Sequence, residues 1–426
     1  MAHIVMAIHN LGGGGAERMV LWITAGLMER GHRVDIVIFD PTVAYTDMPK
    51  QARLEVLCGK GTWARLKPDS LPRNVLWRGK RMPVTRLARP IAKLVAQNGA
   101  GCLAKLLQPG VLRFAFRLAH YLEREKPDIV FGNWNHDHFV ALLGVRMAFV
   151  QKSRPPVVPI QHSALNSGTS YVRYMRCLSA EFVHHVAVSH AVAESLSSTC
   201  HVPENKITTI HNSVDLKEIS RQAEVEPNHS WFTDNGPPII LSAGRLVRGK
   251  GFCTLLNAFS ILQKAEGSFR LLVLGEGPLR IMLEDQVRSL GLEGQVSLPG
   301  WVGNPFAHMS RSALFVLASR WEGCPMVLIE AMACGCPAVA TNCPGPPEIL
   351  SDSDLLAPVG DPNALAQVMR RVLKQPRDSE RLRAIAERFS VERAAIEYEA
   401  LISTVLNETK CERSKRYRHA TYTNTL

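Results

Sequence analysis

Short apolar runs alternate with longer segments of helical period along most of the chain, a pattern typical of parallel α/β architecture. In the first half the apolar runs predict strands at Ile4–Ile8, Arg33–Phe39, Asp128–Phe131, Val157–Ile160, Val183–Val188 and Ile207–Ile210. In the second half they predict strands at Ile239–Ala243, Phe269–Leu274, Val296–Leu298, Leu314–Leu317, Ala338–Ala340 and Leu355–Leu356. The pattern therefore predicts two successive α/β series.

A polar stretch rich in Pro, Asn and Gly separates the two series. We predict an N-terminal Rossmann-like domain at 1–217, a linker at 218–238, a second Rossmann-like domain at 239–390, a terminal helix at 391–408 and a basic, disordered tail at 409–426. Two such domains are expected to face each other across a cleft at the carboxyl ends of their strands, where ligands of these folds usually bind. The terminal helix is expected to cross back to the first domain.

Composition places the 426 residues among globular proteins, with 46% hydrophobic and 21% charged side chains, and excludes disordered, collagen-like and coiled-coil classes. The net charge of +12 is uneven: residues 51–118 hold fourteen basic side chains against two acidic ones, which accounts for all of it. One basic region on a neutral globule predicts an anionic partner for that region rather than a protein that coats nucleic acid.

Ten cysteines are too dilute in a chain of this length for a disulfide scaffold, so a reducing cytosol is expected. Cys334 and Cys336 lack the spacing of a structural zinc pair. The N-terminus reads as a strand rather than a signal peptide, and no run of eighteen apolar residues occurs in the sequence. We expect a cytoplasmic protein that is soluble or peripheral.

Three motifs follow strands and could bind a phosphorylated ligand. The first, Gly12–Glu17, opens a helix, so its free amides suit an anion, although a plain tight turn is an equal alternative. In the second, Gly244–Gly251, Arg245 and Lys250 could both reach a diphosphate. The alternative is a pair of solvated surface cations, which is what we expect of Arg248.

The third motif runs from Arg320 to Gly335. Pro325 suits the first turn of a helix, which leaves Glu322 in the preceding loop and Glu330 more than a turn inside. The two carboxylates could hold different hydroxyls of one long ligand, while the amides of Met326 and Val327 face its phosphates. The alternatives are a helix-end anion for Glu322 and a surface salt bridge for Glu330.

Together these motifs carry a family resemblance. Gly14-Gly-Ala-Glu17, Gly244-Arg…Lys-Gly251, Leu274-Gly-Glu-Gly-Pro-Leu279 and a Glu-x7-Glu pair followed by Ala-Met-Ala-Cys-Gly-x-Pro resemble the family-4 retaining glycosyltransferases of GT-B fold. The resemblance covers roughly residues 3–40 and 125–400 and leaves out the basic stretch, which lies where such enzymes vary with the acceptor.

The resemblance implies a role for each matching position. Arg245 and Lys250 would neutralise the diphosphate of a nucleotide sugar, with the backbone of Gly14 and Gly15 and the amides of Met326 and Val327 assisting. Glu330 would bind the ribose, and Glu322 with the backbone of Gly323 and Cys324 would hold the transferred sugar. The base is expected against the loop Gly300–Val302. The catalytic set would be His162, Glu322, Arg245 and Lys250.

Four further positions carry polar side chains that could contribute to a site. His162 ends a strand where similar enzymes have a histidine close to the anomeric centre, and a capping histidine is its alternative. Asn212 matches an Asn-Gly-Val-Asp pattern in which Ser213 replaces the glycine, which puts a close backbone contact there in doubt. His136 and His138 could suggest a metal, but such spacing is more often acceptor-facing or capping, so we expect no metal and no other cofactor.

The expected activity is retaining transfer of a hexose or N-acetylhexosamine from a nucleotide-diphosphate sugar, UDP-sugar before GDP-sugar, to a glycan acceptor. The expected acceptor is a lipid-linked saccharide in cell-surface polysaccharide or lipopolysaccharide synthesis. The basic stretch at 51–118 could dock the enzyme on the anionic inner face of the membrane; alternatively its helices only cover the sheet. A sugar-nucleotide epimerase of the same fold and a non-catalytic sugar-nucleotide-binding protein are the alternative functions.

Overall fold

A computed structural model describes residues 1–45, 48–49, 52–57, 74–77, 80–83, 109–149, 154–165 and 169–423 of the protein. The chain divides into two compact units. Unit 1 comprises residues 1–188, 192–210 and 395–426, and unit 2 comprises residues 189–191 and 211–394.

Unit 1 is built on a parallel sheet of seven strands in the order β3-β2-β1-β6-β7-β8-β9. Their bounds are β1 His3–Ile8, β2 Arg33–Ile38, β3 Arg53–Val56, β6 Ile129–Gly132, β7 Val157–Gln161, β8 His185–Ala187 and β9 Ile207–Thr209. A separate antiparallel hairpin joins β4 Asn74–Trp77 to β5 Lys80–Pro83. The described helices are α1 Gly15–Glu29, α2 Pro109–Glu125, α3 Asn135–Ala148, α4 Ser170–Leu178 and α5 His190–Cys200.

Unit 2 has a parallel sheet of six strands in the order β12-β11-β10-β13-β14-β15. The strands are β10 Ile239–Ala243, β11 Arg270–Leu274, β12 Val296–Gly300, β13 Leu314–Leu317, β14 Ala338–Thr341 and β15 Leu356–Ala357. The helices are α6 Leu216–Ala223, α7 Phe252–Glu266, α8 Arg280–Ser289, α9 Pro305–Arg311, α10 Met326–Ala333, α11 Pro346–Leu350, α12 Pro362–Leu373 and α13 Ser379–Glu387. Each predicted strand is present within two residues of its expected bounds.

The order of strands reverses once in each sheet, between β1 and β6 in unit 1 and between β10 and β13 in unit 2. Ligands of open parallel sheets bind beyond the carboxyl ends of the strands at such a switch point. The topology therefore singles out the segments after β1 and β6 in unit 1 and those after β10 and β13 in unit 2.

The terminal helix α14, Val391–Thr423, starts in unit 2 and belongs to unit 1 from Ala395 onward, as predicted. In unit 1 the ring of Tyr398 packs edge-on against Phe131 at 5.8 Å, and Glu399 forms an ion pair with Arg30. The helix continues to Thr423, although a disordered tail was expected after residue 408. Residues 409–423 contain neither Gly nor Pro, so no residue there interrupts a helix.

The boundary between the units also differs from the predicted domain boundary at residue 217. Unit 2 begins at His211, and α6, which overlaps the predicted linker, buries Ile219. Asn304 holds this helix through a 2.8 Å hydrogen bond to the carbonyl of Gln222. The polar sequence here is therefore the solvent face of a helix packed on unit 2.

Most of the basic stretch at 51–118 lies outside the described residues. Its described helix, α2, buries the apolar side chains Leu112, Phe114, Leu118 and Leu122 within unit 1. The apolar face of α2 is thus part of the core of unit 1, which corrects the idea that it faces a membrane. Among the described residues, every helix is too short or too polar to cross a lipid bilayer.

Candidate active site

In unit 2, the segments after β10 and β13 bring Lys250 and Glu322 together. Lys250 Nζ donates to Glu322 Oε1 at 2.5 Å, and Ser319 Oγ donates to the same oxygen at 2.6 Å. Both side chains keep some exposure, 28% for Lys250 and 11% for Glu322. Because both bonds go to Oε1, Glu322 can present Oε2 to a ligand hydroxyl.

This pairing depends on the close approach of two loops. Gly251 has a φ of 65°, and a Cβ atom there would lie 1.9 Å from the carbonyl oxygen of Ala318. Next to it, the amide of Arg320 donates to the carbonyl of Gly249 at 2.7 Å. Only glycine fits this conformation and this approach, so Gly251 sets the position of Lys250 opposite Glu322.

Arg245 lies on an exposed loop braced by the neighbouring strand ends. The Gly275 amide donates to the carbonyl of Gly300, and the Leu246 amide donates to the carbonyl of Glu276, both at 2.8 Å. Arg245 forms no ion pair with the described residues and is exposed. Half-buried Val302 lies in the loop that follows Gly300.

Helix α10 carries the second carboxylate. Glu330 is only 7% exposed, so its alternative as a surface salt bridge is wrong. Met326 and Val327 form the first turn of α10 after Pro325, and the leading amides of a helix have no acceptor within it. An anion in front of this turn would find free donors.

The turn between Glu322 and α10 is held from two sides. Asn212 Nδ2 donates to the carbonyl of Cys324 at 2.9 Å, and a Cβ atom on Gly345 would lie 2.5 Å from the carbonyl oxygen of Gly323. The sequence pattern singled out Asn212 but gave no sign of this contact, because the two residues are 112 positions apart. The backbone of Gly323 and Cys324 is thereby fixed beside Glu322.

In unit 1, His162 follows β7 at the carboxyl edge of the sheet. Its two ring nitrogens are buried and have no hydrogen-bond partner among the described residues, and its ring lies 5.6 Å from that of Trp134. Burial lowers the pKa of His162 to about 4, so the ring is neutral at physiological pH. The capping alternative fails for the described residues, because a cap requires a hydrogen bond.

The two histidines at 136 and 138 do not act together. Buried His138 contacts the carbonyl of Ile160 at 3.0 Å and the hydroxyl of Tyr171 at 2.8 Å, which anchors β7 and α4. Burial lowers the pKa of His138 to about 3. His136 is exposed instead and lies with His9 and Asp137.

Gly14 and Gly15 lie at the start of α1, as predicted, and the carboxylate of Glu17 lies close to them. A Cβ atom on Gly14 would lie 2.2 Å from Glu17 Oε2, so this carboxylate lies at the start of its own helix. Burial raises the pKa of Glu17. Gly14, Gly15 and His162 belong to unit 1, and the other predicted site residues belong to unit 2.

Two family descriptions match the chain, the first mostly in unit 1 and the second within unit 2. Residues 13–218 match glycosyltransferase family 4, and residues 226–389 match the glycosyl transferases group 1. The chain belongs to the family-4, group 1 glycosyltransferases.

Two curated relatives resemble this glycosyltransferase over different lengths. A 4-α-N-acetylgalactosaminyltransferase of Campylobacter jejuni that acts on a diphospho-undecaprenol-linked saccharide is 32% identical over 42% of this chain and 48% of its own. The N-acetyl-α-D-glucosaminyl L-malate synthase of Bacillus anthracis is 25% identical over 71% of this chain and 81% of its own. The first match spans about half of that relative.

The fold of the glycosyltransferase is shared with solved structures. The Anabaena protein HepE in complex with UDP and glucose superposes with a TM-score of 0.72 at 18% identity, covering 95% of this chain and 100% of that one. At that identity the likeness establishes the GT-B fold, with its two parallel-sheet α/β domains.

Proposed function

We propose that this glycosyltransferase transfers a hexose or N-acetylhexosamine from a UDP-sugar to a saccharide acceptor with retention of the anomeric configuration. The arrangement of Lys250, Glu322 and Glu330 in unit 2 carries this proposal. One cation and two carboxylates lie near the switch point of one sheet. A nucleotide sugar has matching groups, because its diphosphate can bind the cation and the hydroxyls of its sugar and its ribose can each bind a carboxylate. UDP is preferred to GDP because the superposing Anabaena protein binds UDP.

The diphosphate is assigned to Arg245 and Lys250. The exposed guanidinium of Arg245 can chelate two phosphate oxygens, and Lys250 adds a compact charge. Binding would move Lys250 from Glu322 toward the phosphates, which leaves Ser319 as the donor to Glu322 Oε1. The amides of Met326 and Val327 and the backbone of Gly14 and Gly15 would add donors.

The sugar and the nucleoside use the two carboxylates separately. Glu322, supported by the backbone of Gly323 and Cys324, accepts hydrogen bonds from hydroxyls of the transferred sugar. Buried Glu330 accepts from the ribose, and the base lies against Val302. Charge-assisted hydrogen bonds of this kind contribute about 1.5–3 kcal/mol each.

Retention follows if acceptor and leaving group share one face of the sugar. The acceptor hydroxyl attacks C1 as the bond from C1 to the diphosphate oxygen breaks, and the departing diphosphate takes the hydroxyl proton. Arg245 and Lys250 stabilise the charge that develops on the diphosphate. We assign to neutral His162 a hydrogen bond near C1. This chemistry needs no metal, since the cations of the chain replace one.

The acceptor is proposed to be a lipid-linked saccharide of cell-surface polysaccharide or lipopolysaccharide synthesis. The Campylobacter relative acts on a diphospho-undecaprenol acceptor, and the basic stretch at 51–118 supplies the charge for an anionic surface at the cytoplasmic face. Flotation with liposomes tests the membrane part. Binding to anionic but not neutral vesicles is expected, and equal recovery without vesicles would contradict it.

Product analysis tests the activity itself. The protein is screened against UDP- and GDP-sugars for protection from thermal unfolding, and the best donor is then incubated with lipid-linked saccharides. Proton NMR of the product is expected to show the anomeric configuration of the donor. Interconversion of free sugar nucleotide without transfer would indicate an epimerase. Protection without any turnover, across the acceptors tested, would indicate a binding protein.

A further inference from the structure

Unit 1 contains a cluster of metal-ligating side chains at its own switch point. His9 follows β1, and His136 and Asp137 lie in the first turn of α3 after β6. One ligand atom from each of the three lies within 4.8 Å of the others. The rings of His9 and His136 are 6.3 Å apart and nearly perpendicular.

Asp137 is fully buried, and neither carboxylate oxygen has a hydrogen-bond partner among the described residues. His136 Nδ1 lies 3.8 Å from Oδ1, beyond hydrogen-bond distance, and the His136 side chain and the His9 backbone amide are the donors close to this carboxylate. A buried carboxylate without compensation is costly, because ionised groups lose their hydration. A cation at this position would compensate the buried charge of Asp137.

Among the described residues of unit 1, one other aspartate, Asp35, is deeply buried, and it shows how the fold satisfies such a group without a ligand. Asp35 Oδ2 accepts from His3 Nε2 at 2.8 Å, from the Tyr121 hydroxyl at 2.5 Å and from Arg33 at 3.1 Å. Those contacts satisfy its carboxylate within the protein. The carboxylate of Asp137 has no such set of hydrogen-bond donors among the described residues.

A second cluster with two histidines and a carboxylate, in unit 2, differs because its carboxylate is hydrogen-bonded. Glu348 accepts from the amides of His190 and Ala191 at 2.8 and 3.0 Å and contacts His211 Nε2 at 2.9 Å. It caps the start of α5, and its oxygens are already bonded. The His190, His211 and Glu348 cluster is thus a helix cap and serves as an internal control.

The donor set narrows the ligand class. Two imidazole nitrogens and one carboxylate oxygen suit a divalent transition metal, whereas Mg²⁺ and Ca²⁺ prefer oxygen ligands. A sugar cannot reach a carboxylate with no exposed surface, but an ion can enter beside His136, whose side chain is 47% exposed. Zinc bonds to such donors are about 2.0–2.2 Å long, so the three side chains would draw closer together around a bound ion.

We propose that unit 1 binds one Zn²⁺ ion through His9, His136 and Asp137, with water at the fourth position. The ion joins the end of β1 to the start of α3 and neutralises Asp137. It has a structural role, and none of its three ligands is among the residues assigned to the proposed transfer.

Titration of the full-length protein tests the site. Protein freed of metal with a chelator is titrated with Co²⁺ and then Zn²⁺, while visible absorption and the thermal unfolding temperature are recorded. One equivalent of Co²⁺ is expected to give the absorption of a tetrahedral nitrogen and oxygen site, Zn²⁺ displaces it, and both raise the unfolding temperature. His136→Ala, at an exposed position, is expected to weaken binding by more than about 100-fold, since outer-shell changes alone cost about 10–100-fold.

His211→Ala is the matched control from the other cluster and is expected to bind as the wild type does. Asp137→Asn is expected to lose metal binding while its unfolding temperature equals or exceeds that of the metal-free wild type, because the buried charge is gone. Absence of binding would overturn the proposal. So would binding that survives His136→Ala, or an absorption band of a thiolate ligand, which would place the metal on cysteine.

Discussion

Lys250 Nζ lies 2.5 Å from Glu322 Oε1, across two loops that are 72 residues apart in sequence. Without a donor, the cation and the carboxylate neutralise each other at the end of one parallel sheet. A nucleotide sugar offers each a new partner, the diphosphate for Lys250 and a hydroxyl for Glu322. The pair therefore holds both groups in place before the substrate arrives.

Gly251→Ala is expected to separate this pair. The new Cβ would meet the Ala318 carbonyl at 1.9 Å in a backbone with a φ of 65°. We expect stability to fall by at least about 1–3 kcal/mol, the range for a strained backbone position, and transfer to fall further. Urea unfolding and kcat/KM measure the two effects.

Gly267→Ala is the control, because Gly267 has a φ of 60° and no atom within 4 Å of the added Cβ. Gly267→Ala therefore introduces the same backbone strain as Gly251→Ala, but no steric clash of the new Cβ. If both variants lose the same stability and the same activity, the loop contact does not position Lys250.

Glu322→Gln and Glu330→Gln are expected to act on different parts of the donor. Glu322→Gln should leave the affinity for UDP nearly unchanged and lower kcat/KM by about a hundredfold, since it removes a charge-assisted bond to the sugar. Glu330→Gln should weaken UDP binding itself by about tenfold or more. Calorimetric titration with UDP and steady-state kinetics separate them. A large loss of UDP affinity in Glu322→Gln alone would reverse the assignment.

His162→Ala is expected to lower kcat by about 10²-fold, the scale for one lost donor at a reacting centre, with little change in UDP affinity. Because the pKa of His162 is lowered to about 4, it remains neutral between pH 5.5 and 8 and contributes no step to the rate profile there. His162→Gln should recover part of the rate. A rate that requires protonation near pH 6.5 would show that His162 acts as a cation.

Acid is expected to destabilise unit 1 through its buried neutral histidines. Burial lowers the pKa of His185 to about 4, as it does for His162, from an ordinary value of 6.5. The unfolded chain therefore takes up protons first, so stability present above pH 6.5 is lost as the pH falls toward 4. Each histidine costs about 2 kcal/mol by pH 5.

Urea unfolding at pH 7.5 and pH 5 measures this loss. His185→Gln cannot be protonated, so its stability should depend less on pH than that of the wild type by about that amount. His120→Gln, at an exposed position, is the control and should leave the pH dependence unchanged. If the free energy of unfolding changes equally with pH in the wild type and in His185→Gln, His185 takes up a proton as readily in the folded protein as in the unfolded chain.

The sequence predicted much of the fold because parallel strands buried on both faces are continuous apolar runs, as in Leu314–Leu317. It also predicted that Arg245, Lys250, Glu322 and Glu330 lie in loops and a helix that follow strands. The Asn212 contact and the cluster of His9 with His136 and Asp137 could not be predicted. Both join side chains from distant segments that only the folded sheets bring together.

Binding of UDP to the wild type and to three variants tests the central claim most directly. Arg245→Ala and Lys250→Ala are each expected to lower UDP affinity by about tenfold or more and to reduce transfer by orders of magnitude, with unfolding temperatures close to the wild type. Arg248→Ala, which removes an exposed neighbouring cation, should bind and turn over as the wild type does. Undiminished turnover in Arg245→Ala or Lys250→Ala would contradict the account.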